Sequence, residues 1–588
     1  LLRDNVGEWN EKVDGPWNYQ TNRAAIDNYW KKRVVENGKY ENFYTVGMRG
    51  VHDTGLEATG DDTVKARLVE QVMGSQQDLL RKYVNADLNK VPQVIWLYKE
   101  SLELYRAGMR VPDDVTLGWT DDNYGYLRQL PTLAEQQRAG GSGIYYHVSY
   151  WGFPHDYLWL CSTPPALIRE EMTKAFDHNA RRYWVLNVGD IKPAEWDIDY
   201  FLQLAWNEPK MAPVSQQSFL EAWAAEQFPA EAAPKIAEIM RRYYALNFVR
   251  KPEFMGFNGY TDPINRTAFN PLAWGDQNRT REDAWQRLRE ETAALGNTMP
   301  REYQAAFFEL VSYPVEAAAE QNEKFLMTDR SFLDASRHDE DARKRHAALA
   351  QASYDRIQQL TAHYNTMLNG KWDGMMSAAP RNREVFKMPR TATAQDVNDP
   401  LPKSWGAGSP AQQETVSINA AHYQNKSDGD QAQWRELPEL GISGASMTYG
   451  EAGLLANETQ RSKSEPWLEY DFETTNTSPA TLTVHTLPTF AVDSAHRLRY
   501  AAAIDGGAPV IIDASVSGQW SENTAPVWAA NVLRNSAEGT ISLGSLAAGP
   551  HTLKLIYQDP GVVFEHLVIT FAHTPPAYPV PPDESHSH

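Results

Sequence analysis

Cysteine is all but missing from this 588-residue chain: Cys161 stands alone, which excludes an intrachain disulfide and any zinc site built on thiolates. Basic charge is also scarce. Lys and Arg number 56 against 76 Asp and Glu, so a net charge of −20 repels nucleic-acid phosphates and anionic lipid headgroups. The one basic run, RKRH at 343–346, follows an acidic DED inside a mixed-charge helical stretch, the pattern of a solvated helix face. No apolar run approaches the roughly 20 residues that span a bilayer. Neither a nucleic acid nor a membrane is therefore expected as a partner. The chain opens LLRDNVGEW, without Met or a signal segment, and reads as the interior of a longer protein. A G-x-S-x-G elbow is lacking, which weighs against a serine hydrolase. GGSG at 140–143 has no following helix and does not read as a phosphate loop.

What is there comes in three registers. The fold class expected is multidomain: the C-terminal part of a (β/α)8 barrel, then a helical bundle, then a β-sandwich. From 1 to 208, short β-prone runs (FYTVGMRG, PQVIWLY, VTLGW, IYYHVSYWG, RYWVLNVGD) alternate with helical stretches at 62–86, 99–108, 128–138 and 165–180. That rhythm means βα units and a parallel sheet. Five strands are not eight, so about three βα units are expected upstream. Residues 209–387 are almost wholly helical, with segments at 216–228, 232–249, 281–295, 301–325 and 338–368 carrying apolar residues at three- and four-residue spacing. Tyr243, Tyr244 and Phe248 are read there as core. From 388 to 575 the period becomes two, in WLEYDFETT, ATLTVHTLP, LRYAAAID, TISLGSL, HTLKLIYQD and EHLVITF, the mark of a β-sandwich. The Pro-rich 576–588 is expected to be a disordered or extended tail.

Each barrel strand runs out into polar and aromatic residues, where a barrel carries its active site. The acidic groups there are Asp53, Glu100, Asp121, Asp122, Asp190 and Glu195. Glycosidic hydrolysis needs one carboxylic acid to protonate the leaving oxygen and a second carboxylate to activate water or attack. Helix capping competes as the role of any one of them. Arg49, directly after a strand, suits a bidentate grip on a substrate carboxylate such as a uronate, with an internal salt bridge to a nearby acid as the competing role. The 19 Trp and 28 Tyr suit the apolar faces of sugars, although large folds of this kind are aromatic-rich anyway. His52, His147 and His155 with Asp53 and Asp156 fit no standard zinc spacing, leaving a metal hydrolase as a weaker alternative.

The strand-end text YTVGMRGVHDTG, VIWLYKE, VTLGWTDDNYGYLR, GGSGIYYHVSYWGFPHDYLWL and RYWVLNVGDIKPAEWDIDYFLQLAWN, with RKPEF, NGKWDGMM and HTLKLIYQDPGVV further on, resembles glycoside hydrolase family 115, the xylan α-1,2-glucuronidases. The resemblance covers essentially the whole chain. It implies an inverting hydrolase releasing glucuronic acid or its 4-O-methyl form from glucuronoxylan or aldouronic xylo-oligosaccharides, with no cofactor and no metal. A homodimer and a periplasmic or extracellular location are further expectations. It also implies an α/β domain and opening barrel strands ahead of residue 1, one bearing a further active-site acid. By the same resemblance Asp53, Glu100 and Asp121 are catalytic: Glu100 as acid, Asp53 as base, and Asp121 positioning with Asn123. The substrate-binding candidates are Arg49, His52, Tyr98, Asp122, Asn123, His147, Tyr150, Trp151, Asp190 and Lys192. The alternative is a non-catalytic carbohydrate-binding or structural fragment of such an enzyme.

Overall fold

The computed structural model describes residues 9–257, 266–409, 414–450, 465–515 and 525–583, and the side chain of Asp53 lies outside the described set. Five parallel strands, β1 (Tyr44–Thr45), β2 (Gln93–Trp96), β3 (Thr116–Thr120), β4 (Ser142–His147) and β5 (Trp184–Asn187), form one sheet in sequence order. β3 is buried along its whole length, as befits the central strand of a parallel sheet, whereas every residue of β5 is half-buried. The sheet curls: Phe43, ahead of β1, and Tyr183, ahead of β5, meet edge to face with ring centroids 4.6 Å apart. Two glycines make room inside that curl. A Cβ at Gly118 would lie 2.4 Å from the Trp96 ring, and one at Gly143 would lie 2.6 Å from the Tyr183 carbonyl oxygen.

Helices Asp62–Tyr83, Glu100–Arg106, Pro165–Asp177 and Glu195–Trp206 follow β1, β2, β4 and β5. The first is fixed by Asp61, which accepts from the Val64 amide, and closes with Arg81 and Lys82 beside its C-terminal carbonyls. The expected helix at 128–138 does not form; only a short 3-10 turn, Glu135–Gln137, is present. Tertiary bonds take this backbone instead. The Leu127 amide donates to Glu171, the Leu130 amide donates to the Val492 carbonyl, and Pro131 has no amide to give.

The bundle comprises Gln216–Gln227, Ala233–Val249, Gln277–Gly296, Tyr313–Ser336 and Glu340–Gly370. Tyr243, Tyr244 and Phe248 are core, as their spacing implies. The helix expected at 301–325 begins at Gln304, as the turn Gln304–Phe307. A π-turn at Phe308–Ser312 intervenes before Pro314, whose missing amide suits the first turn of the long helix. Within RKRH, Arg343 and Lys344 pair with Glu340, and His346 pairs with Asp334; Lys344 is exposed, whereas Arg343 and His346 are largely covered, so the stretch is only partly the solvated face expected.

The C-terminal part is two antiparallel sheets. In one, Trp467–Thr474 and Arg499–Ile504 flank Gly549–Tyr557; in the other, Pro479–Thr486 lies between Ala537–Ser545 and Val563–Phe571. Short strands at 416–449 and a helix, Pro526–Arg534, were not legible in the two-residue periodicity. Of the tail expected to be disordered or extended, residues 584–588 lie outside the described residues. Residues 576–583 run without regular structure, yet they are pinned: Asn270 and Trp274 donate to the Pro576 carbonyl, Gln277 to that of Val580, and Ser417 to that of Pro581. A shared core of Tyr124, Tyr157, Phe254, Leu440, Trp528 and Leu533 joins barrel, bundle and sandwich.

Candidate active site

A cleft of about 660 Å³ opens at the C-terminal ends of β2 to β5. Alternation along the strands builds it. Trp96 and Tyr98 line it from β2, Thr120 from β3, Tyr145 and His147 from β4, and Asn187 from β5, with His52, Ser149, Tyr150, Trp151, Leu158 and Gly189 from the loops. Sequence reasoning named Tyr98 and His147 but missed Trp96 and Tyr145. Stepping back two residues along each strand finds them.

Arg49 is fully buried and grips Glu100 with both arms, Nε to Oε1 at 2.7 Å and Nη2 to Oε2 at 2.9 Å. Its fork therefore serves an internal acid, the second of the two roles open from sequence, and the partner lies 51 residues along the chain. Glu100 opens helix Glu100–Arg106 directly after Lys99, whose φ of 50° turns the chain sharply between Tyr98 and that helix. Its side chain is 30% exposed. A carboxylate offers about four acceptor positions; the fork takes two, and two remain for substrate or water. Lys99 adds positive charge above the Tyr98 and Tyr150 rings, at 5.0 and 5.8 Å. Asp53 ends the 3-10 turn Val51–Asp53, next to the cleft-lining His52 with its φ of 53°.

Asp121 does not line the cleft; it stands behind His147. Its Oδ1 lies 2.6 Å from His147 Nδ1, and its Oδ2 accepts from the amides of His147 and Gly125 at 3.1 and 3.0 Å. With Nδ1 donating, Nε2 is the nitrogen of His147 left to accept. Tyr98, Tyr145 and Tyr150 surround this imidazole at 6.3, 5.1 and 5.6 Å. Asp122 points the other way. Its Oδ1 accepts from the Tyr124 and Tyr126 amides, and its Oδ2 accepts from Trp528 Nε1 of the sandwich at 2.8 Å. Burial, then neighbouring Asp121, pushes its pKa up to about 7. Asn123 is buried at φ 73°, its carbonyl accepting from the Tyr157 hydroxyl at 2.6 Å.

Like Arg49, Asp122 and Asn123, two further expected contacts do not line the cleft. The Lys192 ammonium pairs with Glu195 at 2.6 Å and with Glu309 of the bundle at 2.8 Å, over the Trp372 ring, so it joins two domains rather than facing the cleft. Asp190 is exposed one residue past Gly189. His155, one of the histidines weighed for a metal, is buried against Phe257 at 3.9 Å, and burial pushes its pKa down to about 3. Among the described residues, no three His, Cys, Asp or Glu side chains converge as a metal site requires.

Chemically, the cleft offers an imidazole oriented by a buried carboxylate and aromatic walls suited to sugar faces; the partly exposed Glu100 carboxylate held by Arg49 follows Tyr98 by two residues without lining the cleft itself. Residues 1–254 match the family model for glycosyl hydrolase family 115, and residues 408–583 match the C-terminal domain of that family. Among solved structures, the chain is similar to a family GH115 4-O-methyl-α-glucuronidase, BtGH115A, with specificity for decorated arabinogalactans. Identity is 34% and the TM-score 0.81, covering 96% of this chain and 69% of that one. The C-terminal CBM6 of LamC from Zobellia galactanivorans is 16% identical with a TM-score of 0.18, covering 27% of this chain and 99% of its own. The module CBM6cm-2 from Cellvibrio mixtus lichenase 5A is 14% identical with a TM-score of 0.17, covering 27% and 98%. No curated protein matches.

Proposed function

The chain belongs to glycosyl hydrolase family 115, and from that membership we propose that it is an α-glucuronidase that removes glucuronic acid or 4-O-methylglucuronic acid α-1,2-linked to xylose in glucuronoxylan. The observation that carries this reading is the strand-end cleft, lined by Trp96, Tyr98, Tyr145 and an imidazole, His147, that Asp121 orients, with the Arg49–Glu100 pair directly beyond Tyr98 in the chain.

In the mechanism we propose, Glu100 and Asp53 form the acid–base pair, one protonating the leaving xylosyl oxygen while the other activates the attacking water. Arg49 fixes the orientation of Glu100, Asp121 fixes His147, and His147 holds a sugar hydroxyl or the uronate. A single displacement with inversion calls for carboxyl groups about 6.5–9.5 Å apart, with water between them. We place the enzyme outside the cytoplasm, where such polysaccharides are met, and as a homodimer. No helix among the described residues is long and apolar enough to cross a membrane.

A second reading is favoured by the 34% identity to a relative with specificity for decorated arabinogalactans: the same glycone cleaved from that polymer. Two experiments test the proposal. Proton NMR of the uronic acid first released reads the stereochemistry, β for inversion and α for retention. Asp53→Asn and Glu100→Gln are expected to abolish release while leaving the fold intact; full activity in both variants removes this site assignment.

A further inference from the structure

Trp151 is 65% exposed while lining the same cleft as His147 and Tyr98. An indole left open at the rim of a cleft is costly to solvate and gains when a sugar face covers it. One guanidinium already lies against it: Arg381 Cζ is 3.7 Å from the ring centroid.

Arg381 comes from a different domain, in the 3-10 turn Pro380–Asn382 that follows the bundle, and its own φ is 54°. Three things fix it in place. Its Nη1 donates to Asp156 Oδ2 at 2.8 Å, and Arg383 Nε stands 3.4 Å from the same oxygen. Asp156 is buried, and although burial raises its pKa, Arg381 and then Arg383 pull it back. Just beyond, Val385 and Phe386 are buried; the Val385 carbonyl accepts from Gln321 and Lys324, and Phe386 packs edge-on to Trp159 at 5.5 Å. Both arginine side chains remain 33% exposed.

An enzyme that removes a side chain from a polysaccharide must also hold the main chain flanking the branch. That task calls for a flat apolar face and fixed donors for ring hydroxyls, outside the pocket that takes the uronosyl group. Arg49 is buried under Glu100 and does not supply them at the rim. Resting on the glucuronidase reading above, we infer that Trp151 and Arg381, braced by Asp156 and Arg383, form the subsite for the main-chain sugar next to the branch. In this arrangement the sugar ring stacks on Trp151 and the Arg381 guanidinium donates to its hydroxyls.

The test uses the full chain and two probes, an aldouronic xylo-oligosaccharide as substrate and xylotetraose, which lacks uronate, as a ligand followed by calorimetry. Trp151→Ala and Arg381→Ala are each expected to raise KM for the substrate at least 10-fold with little change in kcat, and to abolish xylotetraose binding. Arg381→Lys, which keeps the charge but not the planar fork, is expected to recover only part. Binding of free glucuronic acid is expected to persist in all three, which also shows that the cleft is still folded. Unchanged KM and unchanged xylotetraose binding overturn the inference, as does an equal loss of glucuronic acid and xylotetraose binding. If the unaltered chain binds xylotetraose through Trp151 and Arg381 but releases no uronic acid, the glucuronidase reading fails and the subsite stands.

Discussion

Asp121 and Asp122 are neighbours with identical side chains, and the pleat of the chain sends them to opposite sides. Asp121 faces a histidine; Asp122 faces a tryptophan and two backbone amides. Asp121→Asn is expected to loosen His147 and lower kcat by roughly 10²-fold, the scale for a displaced reacting group, with stability little changed in a melting experiment. Asp122 makes a different prediction. Its folded pKa, raised to about 7, exceeds its unfolded value of roughly 3.9. The folded state thus binds the extra proton between those values, and the stabilising contribution is lost as pH rises through about 7. Relative to Asp122→Asn, the unaltered protein is expected to lose up to about 1.4 kcal/mol per pH unit across that window, read from denaturant unfolding at pH 4.5, 5.5 and 6.5. A pH-independent difference contradicts it. Arg49 shows what local sequence leaves open, since a bidentate cation after a strand can serve substrate or protein equally well. Only the folded chain brings Glu100 to it.

At the level of elements, the strands and long helices were legible because burial imposes a period of two or 3.6 on every residue they bury. The half-barrel sheet, all five bundle helices and six sandwich strands answer to that rule. What escaped it is held by long-range partners. Segment 128–138 looks helical but spends its first amides on the carbonyls of Thr120 and Val492, and Lys192 finds Glu309 across a domain boundary. Helix Pro526–Arg534 is the most consequential omission, because its Trp528, with Asn535 just beyond, bonds the sandwich to the loop that carries Asp121. Trp528→Phe keeps the bulk and removes the donor, leaving a buried carboxylate oxygen short of a partner. A loss of about 1–3 kcal/mol is expected, together with reduced kcat, in thermal melts and turnover assays; unchanged turnover would mean the sandwich braces the fold alone. Gly118→Ala tests the curl of the sheet. A Cβ 2.4 Å from the Trp96 ring forces that ring to move, and overpacking of this kind costs about 1–3 kcal/mol.

Over the whole molecule, barrel, bundle and sandwich meet in one apolar cluster, and the Pro-rich tail ties the last two together. Tyr578 carries much of that tie, packing on Phe269 at 5.0 Å and donating its hydroxyl to the Val249 carbonyl. A chain ending at residue 574 is expected to melt in two steps where the longer chain melts in one, seen by calorimetry; a single unshifted transition contradicts the staple. This coupling links the sandwich to the loop behind His147 through Trp528 and Asp122. The central claim is that the strand-end cleft releases a uronic acid from a decorated polysaccharide. Its most direct test is to incubate the chain with glucuronoxylan and, separately, with decorated arabinogalactan, and to quantify free uronic acid beside a folded Glu100→Gln control. Release by the unaltered chain and none by the control is the predicted result. No release from either polymer by the folded protein, or undiminished release by Glu100→Gln, contradicts the account.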